Sequence, residues 1–393
     1  MKLLIMMKKY VYPYLLVLAL FTVTFAVNLQ APLYGVYAQE SNVGSVAVTI
    51  AFAAYVAGLL PTLLFLGGLS DRVGRKGPII ISLALGIAAT ALLVVSPSWA
   101  SLFVARLLLG VGTGLATTSG AAYMTELVGE NKAGSATVLV TSATSLGFGS
   151  GALATSFSLS LYGPTLLPVS YIVLFILGTV LIMASAMMPK TDKTKNLSLF
   201  RLPVFPSGTW VYGLAMMLSW ATTGMIIAVV PLELKALKLD QWIGLVIFLG
   251  IFVGFLCQPL ARKISSFKSL SLGLIFIPVG FFVIILGAVT SSISLILIGS
   301  SITSASSYGF LYLSALYEFG SRDPKNRARA TAGLFIYAYA GFSIPVVLSG
   351  VLADLFGVIV AMKIFMLFIT IVTVFILMLC FFKRKHSSFN VIK

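Results

Sequence analysis

The segment from Gly67 to Lys76 reads GGLSDRVGRK and places one carboxylate among three cations. This composition suits ion-pair chemistry, because Asp71 can pair with a nearby arginine or with the partly positive N-terminus of a helix. The connection is short, and Gly74 allows the tight turn that it needs. An ordinary basic loop would require neither the aspartate nor the glycine spacing, so the segment is a candidate for a specific charged contact. Its cations are Arg72, Arg75 and Lys76.

Arg106 is a second candidate, because it stands inside an apolar stretch that begins near Trp99. With a rise of about 1.5 Å per residue, it would lie about 10 Å from the start of a helix there. A cation at that depth is expensive and normally faces a cavity or a partner. Alternatively, its side chain snorkels to the outer headgroups. The sequence offers no carboxylate at a similar depth, so the sequence does not identify a partner for this charge.

Residues suited to enzymatic or metal chemistry are sparse. The one histidine, His386, lies in the C-terminal tail, and Cys257 and Cys380 lie in apolar stretches. A membrane enzyme would need histidine or acidic residues clustered near one interface, whereas the acidic residues of this chain are scattered. The sequence therefore predicts no catalytic residue, no metal site, no disulfide and no cofactor.

The composition predicts that lipid surrounds most of the chain. Hydrophobic residues form 59% and charged residues 9% of the sequence, against about 45–50% and about 25% in soluble domains. A spanning helix needs about 20 mostly apolar residues. The apolar run after Lys9 mimics a signal peptide but extends to about Tyr37, so we interpret it as an uncleaved first helix. Twelve spans are predicted, near residues 13–37, 45–69, 78–96, 99–125, 134–160, 166–188, 208–233, 240–262, 269–290, 293–317, 328–352 and 357–382.

The predicted spans form two sets of six. Residues 189–206 are the longest polar stretch, which predicts a cytoplasmic linker between an N-terminal bundle at 1–188 and a C-terminal bundle at 207–393. Gly147-Phe148 recurs as Gly341-Phe342, 194 positions later, and Asn131-Lys132 recurs as Asn326-Arg327, 195 positions later. This near-constant offset predicts an all-α membrane protein of two pseudo-symmetric six-helix bundles, with the binding site between the halves near the midplane.

The net charge of +16 follows from membrane orientation. With the N-terminus inside, most of the 26 basic residues fall in cytoplasmic segments, and the external loops hold only Lys235 and Lys238. The positive-inside rule predicts this asymmetry, so the charge needs no nucleic-acid partner. We expect a multi-pass protein of the plasma membrane with both termini in the cytoplasm.

The charged segment, the twelve spans and the linker together resemble the major facilitator superfamily. The superfamily signature reads Gly-x-Leu-Ala/Ser-Asp-Arg-x-Gly-Arg-Lys. The resemblance implies a conformational latch, in which Asp71 holds the cytoplasmic gate at the N-terminus of helix 11 and Glu126 is a partner for Arg75. Alternatively, Glu126 is a solvated charge at a helix end. Matching residues are Gly67, Leu69, Asp71, Arg72, Gly74, Arg75 and Lys76.

The corresponding loop of the second half, near Arg262 to Lys268, has lost this pattern. Ser266 stands at the position of Asp71. We therefore expect the gating contacts of the two halves to be asymmetric.

Two glycine-rich helices extend the resemblance. In the fourth span, Arg106 with Gly110 and Gly114 is similar to a superfamily motif whose arginine is linked to proton coupling or to charge compensation. The fifth span, with Gly147 and Gly151, is similar to the motif of drug/proton antiporters, although Ala152 stands where that motif has proline. A proline occurs at the related place in the eleventh span, at position 345. These glycines and Pro345 are candidates for close packing and for hinges.

The resemblance also implies that helices 1, 4, 7 and 10 line the transport cavity. For the hydroxyl groups, hydrogen bonding to their own helix is the alternative. Polar and aromatic residues on those helices are the candidates for substrate binding or coupling, namely Arg106, Asn28, Trp220, Thr223, Ser304 and Tyr308.

The sequence favours a secondary active transporter that moves a small molecule by alternating access. Proton-coupled efflux of drug-like or amphipathic compounds fits the glycine motif and Arg106. However, no acidic residue lies deep in helices 1, 4, 7 or 10, and a proton-coupled carrier usually needs one. Uptake or facilitated transport of a metabolite, such as an organic anion or a sugar, is the alternative. We expect a monomer in the lipid bilayer with a small-molecule substrate. If the protein is an antiporter, protons are its second transported species.

Overall fold

Long apolar helices make up the described part of the chain. The computed structural model describes residues 11–190 and 202–389, and these are helical and contain no β-strand. Twelve helices are long and apolar enough to cross a membrane, which confirms the predicted spans. Residues 191–201, most of the predicted linker, lie outside the described part. The spans are α1 (Tyr12–Glu40), α2 (Ser45–Phe65), α3 (Lys76–Val95), α4 (Trp99–Val128), α5 (Gly134–Tyr162), α6 (Val169–Ala186), α7 (Trp210–Ala236), α8 (Asp240–Ala261), α9 (Ser266–Val289), α10 (Ile293–Arg322), α11 (Pro324–Phe356) and α12 (Val358–Cys380).

Hydrocarbon explains why these segments are helical, since a helix satisfies its backbone groups internally where no water is present. The helix ends repeat between the halves. Gly163 after α5 and Gly357 after α11 both adopt left-handed backbone, with φ of 83° and 87°, and they lie 194 positions apart. Glycine adopts this conformation without steric penalty. The residues that end α5 and α11 are therefore separated by the same offset as the repeated sequence motifs.

Helix pairing repeats in the same way. In the first half α1 packs along α5 and α3 along α4, while in the second half α7 packs along α11 and α9 along α10. A Cβ atom at Gly147 of α5 would overlap the Phe21 carbonyl of α1, and one at Gly341 of α11 would overlap the Met217 carbonyl of α7. The recurring Gly-Phe pair thus marks a point where two helix backbones nearly touch.

Among the described spans, two helices are interrupted and a third contains a π-helical segment. In α1, the segment Tyr12–Asn28 gives way to a 3₁₀ turn at Ala31–Leu33, and in α7 the helix restarts at Val230 just before Pro231. Proline removes a backbone donor and clashes with the preceding turn, which accounts for both breaks. In α10, the segment Ala305–Leu311 is a π-helix, a form that is rare and frequent at functional sites.

By contacts the chain divides into two compact units. One consists of Met1–Leu202 with Lys238–Phe248, and the other of Pro203–Leu237 with Leu249–Lys393. The second unit thus takes in the part of α8 that follows Phe248. The division into bundles at 1–188 and 207–393, with a linker at 189–206, stays a prediction.

Gly110 and Gly114 of α4 lie where this helix crosses α2. A Cβ atom at Gly110 would overlap the carbonyl oxygen of Tyr55, and one at Gly114 would come within 2.7 Å of the Thr62 side chain. Small residues allow helices to approach this closely in membranes. Gly151 makes a similar approach to the Phe25 carbonyl of α1, and Pro345 lies inside α11. A hinge role for these residues stays a prediction.

We predict that Gly110→Ala destabilises the protein in detergent by about 1–3 kcal/mol, because the added methyl group forces α2 and α4 apart. Gly134→Ala is the matched control, since a Cβ atom there meets nothing within 4 Å. Thermal unfolding of the two variants measures the difference. Equal midpoints would show that the backbones of α2 and α4 are not in contact at Gly110.

Candidate functional site

The charged segment between α2 and α3 folds around a buried carboxylate. Asp71 lies in a short helix, Leu69–Val73, and is only 7% exposed. Gly74 ends this helix with a φ of 95°, which favours glycine and turns the chain back toward Asp71. Arg75 then donates from Nη1 to the Asp71 carboxylate and to Ser70 Oγ at 2.8 Å. The turn thus places a cation directly against a buried carboxylate.

Arg75 also reaches α4, since its Nε donates to Glu126 Oε1 at 2.9 Å. Burial lowers the pKa of Arg75, but the hydrogen bonds and charges of Glu126 and Asp71 outweigh it, so its pKa is raised above the ordinary value. The guanidinium therefore stays charged at any physiological pH. The Arg75–Glu126 pair implied by the resemblance is present, while its role in gating stays a prediction.

The rest of the segment is tied to the end of the first half. Lys76 Nζ donates to the carbonyls of Ala186 and Met188 at 2.8 and 3.2 Å, as suits a cation at a helix C-terminus. Gly67 lies buried in the bend after α2, and Arg72 is exposed. Through Lys76, the predicted latch is thus anchored where the chain leaves α6.

Arg106 is completely buried, with 0% exposure, which excludes snorkelling to the headgroups. Its Nη1 donates to the carbonyl of Val27 at 2.7 Å, and its Nη2 lies 3.4 Å from that of Phe52. Val27 is among the last four residues before the break in α1, where carbonyls lack helical donors. Arg106 therefore supplies one of two donors to this carbonyl, the other being Gln30 Nε2 at 3.0 Å.

The positive charge of Arg106 meets aromatic rings in place of a carboxylate. Its guanidinium carbon lies 5.0 Å from the ring centroid of Phe52 and 4.9 Å from that of Tyr55. Cation–π attraction of this kind offsets part of the desolvation energy. Among the described residues, no acidic group pairs with Arg106, and its Nε has no hydrogen-bond partner. One buried donor is thus open to a ligand or a water molecule.

An aromatic cluster forms around Trp220 in the second unit. The indole ring has four aromatic neighbours at centroid distances from 4.9 to 6.4 Å. Trp220 is 8% exposed, yet its buried Nε1 has no hydrogen-bond partner among the described residues. The cluster therefore combines apolar ring faces with one unused donor. Its other members are Tyr308, Phe335, Tyr339 and Phe342.

Sequence reasoning named Trp220 and Tyr308 but missed the three α11 residues. Phe335, Tyr339 and Phe342 follow one another at spacings of four and three, so they share one face of a helix. That spacing could have identified them. It did not, because aromatic residues in a spanning helix more often contact lipid or the interface.

The remaining candidates make contacts inside their own unit. Asn28 Nδ2 donates to the Phe148 carbonyl at 2.8 Å, which joins α1 to α5. Thr223 donates to the Ser219 carbonyl of its own helix at 3.2 Å, and Ser304 Oγ accepts the Gly254 N–H at 2.8 Å. The structure thus brings Asn28 to a helix-packing contact, and Trp220 and Tyr308 to the aromatic cluster.

We predict that Arg75→Gln lowers the thermal stability in detergent more than Glu126→Gln. The first change removes the cation that contacts the buried Asp71 carboxylate, whereas Glu126 has a side chain that is 40% exposed and forms a pair worth about 0.2–1 kcal/mol. High salt should reduce the stability loss of Glu126→Gln proportionally more than that of Arg75→Gln, because salt screens the exposed pair more than the buried one. Equal losses for the two variants would argue against Asp71 as the main partner.

Comparisons with known structures support the fold. The crystal structure of a mutant of the nucleoside transporter NupG has a TM-score of 0.73 at 13% sequence identity, covering 92% of this chain and 99% of that one. A bacterial homolog of the human lysosomal transporter Spinster, in an inward-facing and occupied conformation, has a TM-score of 0.71 at 12% identity, covering 93% and 95%. At such identities the likeness concerns the fold alone.

Sequence comparisons give the family. The multidrug resistance protein MdtL of Shewanella sp. (strain ANA-3) is 46% identical over 66 residues, which span only 16% of this chain and 16% of that protein. A family model described as Major Facilitator Superfamily matches residues 16–335, which is most of the chain and includes both the charged segment and Arg106. The chain therefore belongs to the major facilitator superfamily.

Proposed function

We propose that this superfamily transporter exports drug-like amphipathic molecules by alternating access, with protons as the counter-ion. The observation that carries the proposal is the aromatic cluster at Trp220, a buried apolar surface with one unused N–H donor. Flat ring faces bind apolar rings and organic cations of many shapes. Such a surface suits a substrate class defined by amphipathic character more than by one set of hydrogen bonds.

Further support comes from the local match to a protein named for multidrug resistance and from the glycine-rich α5. In this proposal Asp71, Arg75 and Glu126 form the gate latch, and the protein is a monomer in the plasma membrane with both termini in the cytoplasm. Labelling of tags at the two ends from either side of the cell membrane tests the orientation.

A second candidate function is transport of an organic anion. The observation that favours it is Arg106, a fully buried cation with no acidic partner among the described residues and with an open Nε donor. A carboxylate or phosphate of a substrate would compensate that charge directly. The absence of a deep carboxylate in the sequence of α1, α4, α7 and α10 also fits a carrier that moves no protons.

We predict that Trp220→Leu reduces proton-driven export of a lipophilic cationic dye from proteoliposomes by about tenfold, because the ring face that binds the cation is removed. Dye flux under an imposed pH gradient measures this. Trp210→Leu, a change at the exposed start of α7, is the matched control and should export normally. A dye export rate that does not change with the pH gradient would contradict proton coupling. Normal export by Trp220→Leu would contradict the assignment of the aromatic cluster as the binding site.

Arg106→Met separates the two candidate functions. If an organic anion is the substrate, this variant should lose uptake of that anion, while Arg106→Lys, which keeps the charge, retains part of it. If amphipathic cations are exported, anion flux should be absent in the wild type as well. A thermal-unfolding control is needed for both variants, since Arg106 also supports the break in α1.

A further inference from the structure

A cavity of about 550 Å³ lies in the second unit, beside the loop between α8 and α9. It occupies the end of this unit where the basic residues collect, which the charge distribution assigns to the cytoplasmic side. Four elements border it: the loop itself, the start of α9, the last turns of α10 and the start of α11. The residues used below are Arg262, Ile264, Ser266, Leu313, Leu316 and Arg327.

Two arginines line the cavity without a carboxylate. Arg262 and Arg327 have no ion pair or hydrogen bond from their side chains within the described residues, and no acidic residue is among those that line the space. The nearby acids are engaged elsewhere, because Glu318 pairs with Arg322 at 3.0 Å and Asp323 accepts hydrogen bonds from Asn326. Two exposed arginines thus border an open cavity whose lining holds no negative charge.

The start of α9 adds backbone donors to this positive region. Ser265 caps the helix by accepting the Lys268 N–H at 3.4 Å, while the N–H groups of the first helical residues have no partner within the helix. A helix N-terminus favours an anion. Gly320 lacks a side chain where Arg327 passes, since a Cβ atom there would lie 3.1 Å from Arg327 Nε. The Arg327 side chain therefore packs against α10 at Gly320.

The repeat explains why the negative charge is absent. Ser266 lies 195 positions after Asp71, the carboxylate that Arg75 contacts in the first half. In the second half Ser266 carries no charge, and its hydroxyl lies 3.4 Å from the Ser314 carbonyl. At the same offset, Leu270 stands in place of Arg75, so the ion pair of the first half has no counterpart here. The cations that border this cavity, Arg262 and Arg327, come from other positions.

The apolar part of the lining indicates where the missing anion comes from. Ile264, Leu313 and Leu316 border the same cavity as the arginines. The cavity lies where α8 ends at Ala261 and α9 begins at Ser266, which is the depth of lipid headgroups for spans of this length. A free phosphate ion would gain nothing from aliphatic walls, whereas a phospholipid would place its glycerol and upper acyl carbons against them.

We propose that this cavity binds the phosphate of an anionic phospholipid, with Arg262 and Arg327 as its ligands and the aliphatic residues against its hydrophobic part. Basic pockets at the cytoplasmic ends of spanning helices bind anionic headgroups in this way. The bound lipid would supply to the second half the negative charge that Asp71 supplies to the first. This inference does not depend on which substrate is transported.

Lipid retention by the full chain tests the proposal. The purified protein is titrated in detergent with phosphatidylglycerol or with phosphatidylcholine, and retained lipids are counted by native mass spectrometry. We expect one retained phosphatidylglycerol in the wild type and about thirtyfold weaker retention in Arg262→Gln/Arg327→Gln, since each basic residue contributes about 1 kcal/mol near anionic lipid. Ser266→Asp, which restores the carboxylate, should weaken retention as well.

The matched control is Lys263→Gln/Lys325→Gln, which removes the same charge from the same end of the protein but not from the cavity lining. Normal retention in this control and loss in the arginine variant would support the site. Equal loss in both would overturn it, because binding would then follow the overall charge. If the arginine variant fails to fold, Ser266→Asp decides alone, and its unchanged retention would refute the proposal.

Inorganic phosphate distinguishes the two sources of the anion. Millimolar phosphate should displace phosphatidylglycerol only weakly, because it lacks the hydrophobic contacts. Full displacement, together with equal retention of the two lipids in its absence, would show that the cavity takes a free anion and would overturn the assignment to lipid.

Discussion

The absence of water along the spans is the constraint on which the rest of this structure depends. Any polar atom placed there must find a partner within the protein. Arg106 and the broken end of α1 solve this problem together, because the arginine needs acceptors and the break leaves carbonyls without donors. Hydroxyl groups such as those of Ser300 and Thr303 solve it alone, by bonding to the preceding turn of their own helix. Helix breaks and buried polar side chains are therefore linked features of the fold.

Some buried polar atoms do not find a partner within the described part of the protein. Only a few buried side-chain atoms in the described part of the chain have no hydrogen-bond partner, and Arg106 Nε and Trp220 Nε1 are among them. Buried donors are rarely left unsatisfied without a reason. Both residues, one in each unit, were selected from the sequence as substrate candidates, and that role stays a prediction.

The sequence was sufficient for features that depend on local composition. The spans follow from apolar length, the position of Arg106 within α4 from its distance to Trp99, and the helix contacts at Gly110 and Gly147 from the glycine-rich motifs. Features that depend on which side chains meet were not accessible. Nothing in one chain indicates that Arg106 would bind the Val27 carbonyl, or that three aromatic residues of α11 would surround Trp220. The 3.6-residue period identifies a helix face but not whether that face meets protein or lipid.

The π-helical segment of α10 has a consequence for how this helix transmits motion. Each residue added to or removed from a helical turn rotates everything beyond it by about 100°. A segment with the wider turn can therefore take up or release one residue, so that its two flanks turn about the axis independently. Tyr308 lies within this segment. Leu313 and Leu316, which border the cavity beside the loop between α8 and α9, follow shortly after it. The π-helical turn thus joins the part of α10 at the aromatic cluster to the part at Leu313 and Leu316. A change in the width of this turn would rotate one part relative to the other about the helix axis.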